Sequence, residues 1–154
     1  MVEAVIIILL VGVFSIVIAF YIREGVNAWS FLTGQKSMAM STRSALMRVT
    51  REIRRVNRNT NITTHASKEI TFRDVYDEVI TFSQSGSNLM RNADILLEDL
   101  RDPCGLNFTY LDANGSETAI PNQMSVVRCR LVAEKGENKF AVESSARVRI
   151  KRIK

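Results

Sequence analysis

The chain is poor in the residues that most chemistry needs. It has one histidine, two cysteines and seven glycines scattered singly. His65 has no serine or cysteine beside it in an arrangement that marks a nucleophile. Two cysteines and one histidine lack the spacing of a zinc site, and no glycine-rich loop is present to cradle a phosphate. Asp74, Asp77 and Glu78 fall in a turn-like stretch where acids are commonly just solvated. The expectation is a chain that is not an enzyme and holds no cofactor or metal.

Charge is missing from one long stretch. Residues 4–22 carry no ionisable group except the Tyr21 phenol, and as a helix rising ~1.5 Å per residue they span about 28 Å, the thickness of a bilayer's hydrocarbon. No lysine or arginine precedes the run, its apolar core is too long for a secretory signal, and no small-x-small cleavage site follows. A core helix of a soluble domain seldom shows apolar side chains on every side for five turns. The segment therefore reads as membrane-embedded. Tyr21 and Trp29, flanking Arg23 and Glu24, suit a membrane–water interface. Glu3 stands at the edge of the run, where a carboxylate is costly and a role should be sought.

The residues beyond the run suffice for one small domain with its own core. The net charge of +5 is uneven. Arg43, Arg48, Arg51, Arg54, Arg55 and Arg58 face only Glu52, while residues 147–154 hold five bases and no acid. The arginine cluster begins at the far limit of the window in which basic flanks keep a segment cytoplasmic, so that rule does not decide the orientation. A basic leader ahead of Met1 would place the head outside.

Gly25 and Gly34 loosen any helix, and a second helical pattern occupies residues 37–57. Leu46, Val49, Ile53 and Val56 recur on one face of it, with arginines on the others. Residues 57–61 are turn formers without periodicity. From Lys68 the period changes to two: Ile70 and Phe72, then Ile80 and Phe82, suggest strands paired around a turn at residues 74–77. Ser85, Gly86 and Ser87 turn the chain into residues 88–92, completing a three-stranded meander. Residues 93–100 suggest a turn or short helix with Leu96, Leu97 and Leu100 over the sheet. A strand at 106–111, a turn at 112–115 and a hairpin of 124–133 with 139–150 complete an α+β arrangement of one long helix followed by an antiparallel sheet. The division is a membrane-embedded helix and linker over 1–35, then a head over 36–154 whose sheet covers about 68–150.

This order, a near-N-terminal Glu, an apolar helix, its amphipathic extension and a C-terminal meander, resembles type IV pilins and the pseudopilins of type II secretion. The resemblance covers the whole chain, and its strongest local match is the start, Met1-Val2-Glu3-Ala4-Val5-Ile6-Ile7. Arg43-Ser44-Ala45-Leu46, Arg51-Glu52-Ile53-Arg54-Arg55, Ile70-Thr71-Phe72, Leu89-Met90-Arg91-Asn92 and the stretch 108–115 are similar to the J-type pseudopilins and W-type minor pilins. The resemblance implies a minor subunit held in the bacterial inner membrane with its head outside the cytoplasm. Its partners would be other pilin-like subunits, met through the N-terminal helix. In the family a prepilin peptidase cuts a basic leader, the new first residue is N-methylated, and the Glu is the fifth mature residue. Glu3 is third here, so either the start lies about two residues late, the reading favoured, or the chain does not enter that pathway. Its carboxylate would pair with the amino terminus of a neighbouring subunit in the filament core and set axial register. The competing reading is an interfacial Glu favoured by the helix dipole, worth ~0.3 to 1 kcal/mol.

Two further features stay open. With the head outside the cytoplasm, Cys104 and Cys129 can form one disulfide whose loop-closure term is about 3 kcal/mol; otherwise they are two buried thiols. Near the C-terminus Ala146, Val148 and Ile150 alternate with Arg147, Arg149 and Lys151, so one strand face would be wholly basic. That face reads as a charged edge strand protected from aggregation, or as a nucleic-acid contact lacking an aromatic stacking platform. The runner-up to the pilin-like reading is a single-pass membrane protein with a small β-rich binding domain, DNA among its candidate ligands, that forms no filament.

Overall fold

The computed structural model describes residues 2–56, 61–136 and 138–148. The chain divides into two compact units, Met1–Ser37 and Met38–Lys154. A single helix, α1 (Val2–Ile53), supplies the described part of the first unit and opens the second. The expected interruption is absent: Gly25 and Gly34 both lie inside α1. Each glycine costs about 1 kcal/mol against Ala, but helix propagates cooperatively from the long runs on either side. The helix ends at Ile53, a little before the expected boundary, and residues 57–60 of the anticipated loop lie outside the described residues.

Within the second unit α1 buries one stripe, Met38, Thr42, Ala45, Leu46, Val49 and Ile53, and Val56 follows into the same core. The stripe of Leu46, Val49, Ile53 and Val56 anticipated from the spacing is therefore the buried one. Among the described residues eight strands make two antiparallel sheets rather than the one expected. The first is a five-stranded meander: β1 (Ile62–His65), β2 (Glu69–Arg73), β3 (Val79–Ser85), β4 (Asn88–Arg91) and β5 (Asp94–Leu97). The second is β6 (Leu106–Leu111), β7 (Val126–Lys135) and β8 (Asn138–Arg147). The architecture is α+β.

Period-two burial sets the first sheet. Ile70 lies opposite Phe82 and Phe72 opposite Ile80, all four buried, and the rings of Phe72 and Phe82 are 6.2 Å apart. The turn between β2 and β3 is built by Asp74, whose Oδ1 accepts from the backbone N–H groups of Tyr76 (2.7 Å) and Glu78 (3.1 Å). Such an Asx turn replaces backbone pairing locally. Gly86 takes φ +58° in the next turn, a conformation a side chain resists.

Two elements correct the sequence reading. The turn or short helix expected over 93–100 is for the most part strand β5, paired in register Arg91↔Asp94, Met90↔Ile95 and Leu89↔Leu97. Leucines favour helix, but a two-residue turn at Asn92, which adopts φ +54°, folds this segment onto β4. Strand β1, unanticipated, pairs with β2 through Ile62↔Phe72. The meander thus has five strands, not three.

The sheets are joined by Gln84. Its Nε2 donates to the carbonyls of Gly86 (2.8 Å) and Arg101 (2.9 Å), and its Oε1 accepts from the N–H groups of Gly105 (3.1 Å) and Leu106 (2.9 Å). Phe108 N–H donates to the Ser67 carbonyl at 2.7 Å, and the Tyr110 hydroxyl donates to that of Ala66 at 3.0 Å. Both sheets and the second half of α1 share one apolar cluster.

Candidate assembly surfaces

The first unit presents apolar side chains on all sides. Every described residue from 2 to 37 is exposed, with Ile8 at 72 % and Phe14 at 63 %. Ile53, in the second unit, is by contrast fully buried. The helix satisfies its own backbone polar groups, and the Ser15 hydroxyl donates to the Val11 carbonyl at 2.8 Å. The run of residues 4–22, helical throughout and exposing almost only apolar side chains, suits hydrocarbon or the side of another such helix. This helix is long and apolar enough to cross a membrane.

Glu3 lies in the first turn of α1 and is exposed. Four backbone N–H groups at a helix N-terminus lack intrahelical acceptors, so a carboxylate there meets the positive end of the dipole.

In the head, Glu52 and Asp74 are buried acids, and Glu52 is the one that is ion-paired. It accepts from Arg48 Nε at 3.2 Å and from Arg91 Nε at 2.8 Å, and Arg91 also reaches Glu78 at 3.1 Å. Hydrogen bonding to Glu52 is the main cause holding the Arg91 pKa above its ordinary value. This chain of charges ties α1 to β4 and to the start of β3. Composition showed Glu52 only as the lone acid among arginines; its partner is 39 positions away, and no local spacing points to it.

The cysteines stand apart as free thiols: Cys104 is exposed before β6, and Cys129 is buried in β7 opposite Phe108 and Ser144. Burial pushes the Cys129 thiol up to about 12. The disulfide considered from the sequence is therefore not formed in this structure, because one side chain faces solvent and the other the core. Of the alternative, two buried thiols, only Cys129 fits.

Arg147 closes β8 and is exposed, while Ala146 and Val148 turn inward. Arg149, Lys151 and Ile150 lie outside the described residues. Beside Arg147 the outer face of the second sheet carries Arg128 and Arg130, with Glu143 3.3 Å from Arg128 and opposite Arg130 in register. His65 packs edge-on to Tyr110 with centroids 5.9 Å apart. Among the described residues no group of three or more His, Cys, Asp or Glu is arranged to hold a metal. Asp74 is the turn former described above, Asp77 pairs with Arg73 at 3.3 Å and Glu78 with Arg91, so these acids have structural partners.

No protein-family model matches the chain, and comparison with curated proteins and with solved structures finds no match.

Proposed function

We propose that the chain is a structural subunit, a minor pilin or pseudopilin of a type IV pilus or type II secretion pseudopilus. It is held in the bacterial inner membrane with its head outside the cytoplasm and drawn into a filament through its apolar helix. The observation that supports this most is the exposed apolar run of residues 4–22 in α1, with Glu3 beside it in the first turn. Lipid accommodates such a helix before assembly, and the helices of other pilin-like subunits accommodate it afterwards. Glu3 gives the second environment a register. A carboxylate among apolar helices is costly alone and is offset when a neighbour's amino terminus pairs with it. A prepilin peptidase would prepare that amino terminus.

The experiment compares wild type with Glu3→Ala at equal membrane abundance, by co-purification and crosslinking with the other pilin-like subunits. The variant keeps its hydrophobicity and its head, so insertion is retained while incorporation into the assembly falls. Equal recovery of both proteins would contradict the role given to Glu3 and favour a single-pass binding protein.

A further inference from the structure

Among the described residues β8 is the outermost strand of the second sheet, so one of its edges has no neighbouring strand. It is ten residues long, and its register with β7 runs unbroken from Val126↔Arg147 to Lys135↔Asn138. Every second residue of an antiparallel edge strand directs its N–H and C=O away from its partner, so this edge offers a row of donors and acceptors. Folded proteins commonly blunt such an edge with proline, a bulge or charge. β8 has no proline and no bulge, and between Lys139 and Arg147 its one charge is Glu143, which Arg128 already meets at 3.3 Å.

Between the second half of α1 and β8 lies a groove of about 410 Å³. Residues of α1 and β8 line it and none of β7 does, so it opens on the side of the free edge. Leu46, Met47 and Val142 make its lining apolar, and Arg43, Arg51 and Arg54 stand around it with no acid among them. All three arginines are exposed, and none has an ion pair among the described residues. The Phe140 ring, 5.6 Å from the guanidinium carbon, holds Arg43 over β8. Thr50 lies beneath, its Oγ1 buried without a partner and out of reach of an occupant.

The helix and the free edge are commensurate. The groove follows α1 from Arg43 to Arg54, a rise of about 16 Å, which is the length of about five residues of strand. Arg43, Met47 and Arg51 recur every four residues, about 6 Å apart along the helix, and alternate side chains of a strand recur at about 6.6 Å. A strand laid against β8 therefore presents the side chains of its α1-facing side to an arginine, an apolar patch and further arginines in turn. The chain's own residues 149–154 carry four bases and no acid and do not complement this row. A second copy joined β8 to β8 would bring its own three arginines against these, which like charge disfavours.

We propose that β8 and the groove receive an extended segment of a different protein, added as an antiparallel strand, whose α1-facing side chains read acid, apolar, acid. Its backbone pairs with the free edge of β8. Its central apolar side chain lies over Leu46, Met47 and Val142, and its acids meet Arg43 at one end and Arg51 with Arg54 at the other. Main-chain pairing supplies affinity in such an addition, and the alternate side chains supply the choice of partner. The contact uses head residues alone and does not rest on the pilin-like reading or on the Glu3 pairing, so either can fail without the other.

The test uses the full chain in uncharged detergent micelles and a synthetic probe, the peptide threonine–glutamate–threonine–valine–threonine–glutamate–threonine with blocked ends and an uncharged dye, followed by fluorescence anisotropy. Saturable binding is expected below about 1 mM, and the same peptide with lysine for both glutamates is expected to bind about tenfold more weakly or worse. Arg51→Glu with Arg54→Glu is expected to weaken the glutamate peptide by a similar factor; circular dichroism checks that this variant keeps the head. Two further peptides carry N-methyl groups on alternate amides, one on the odd positions and one on the even. One edge of an added strand faces β8, so one pattern is expected to abolish binding and the other to leave it. No saturable binding, equal affinity for the lysine peptide, indifference to the charge reversal, or equal effects of the two methylation patterns would each overturn the proposal. A dimer of the chain that excludes the peptide would do the same, because it would make a second copy the occupant.

Discussion

The two halves of α1 obey different rules although they share one hydrogen-bonding pattern. Over residues 2–37 every described side chain is exposed and most are apolar. From Met38 onward apolar side chains recur on one stripe and are buried to the last few per cent against two sheets. In the first half hydrophobicity is a property of the whole surface, in the second of one face. The first suits a solvent or partner that is itself apolar, the second a folded core.

Substitutions should separate the halves sharply. The largest effect is expected where charge is buried. Glu52→Ala leaves Arg91, whose side chain is 17 % exposed, without its closest partner, and should lower head stability by about 3–5 kcal/mol in equilibrium denaturation. A loss below 1 kcal/mol would show that solvent screens the pair, as it does exposed ones.

Next comes the packed stripe. Ile53→Ala removes a fully buried side chain and should cost ~2–5 kcal/mol, whereas Ile8→Ala, on the exposed half, should leave the unfolding of the head unchanged within about 0.5 kcal/mol. Equal effects at the two positions would break the distinction between the halves.

A smaller, pH-dependent effect belongs to the core of the second sheet. Cys129 is raised from 9.0 to about 12 by burial, so the folded state holds a proton that the unfolded chain gives up earlier. Its contribution is complete below about pH 9 and is lost as pH rises through about 12. Tyr110, raised by the same cause, loses its contribution at still higher pH. Denaturation midpoints should therefore fall on the alkaline side, and Cys129→Ala should flatten the first part of that fall; an unchanged slope would mean the thiol titrates as if exposed.

What could be read from the sequence follows the range of the interactions. Leu46, Val49, Ile53 and Val56 announce their face by spacing alone, and Ile70, Phe72, Ile80 and Phe82 announce theirs by alternation. The turns at Asp74, Gly86 and Gly115 are local chemistry and were equally plain. Strand β5 was not, because Ile95, Leu96 and Leu97 carry a helix-compatible pattern and only pairing with β4 decides between the two. The link between the two sheets runs in part through Gln84, one polar side chain reaching residues 101, 105 and 106. The Glu52–Arg91 pair and the unpaired Thr50 hydroxyl are likewise products of the fold. Glu3, by contrast, was conspicuous from the start, because a single charge beside a long apolar run needs no tertiary context to stand out.

The central claim is that the apolar half of α1 serves assembly and the remainder folds by itself. Equilibrium denaturation of a chain beginning at Lys36, which keeps the buried stripe and both sheets, tests this most directly. The account predicts a soluble monomer with one cooperative transition, its stability within about 1 kcal/mol of the head in the full chain. A chain that aggregates, or unfolds without a cooperative transition, would show that residues 2–35 are part of the head's own core and would contradict the division.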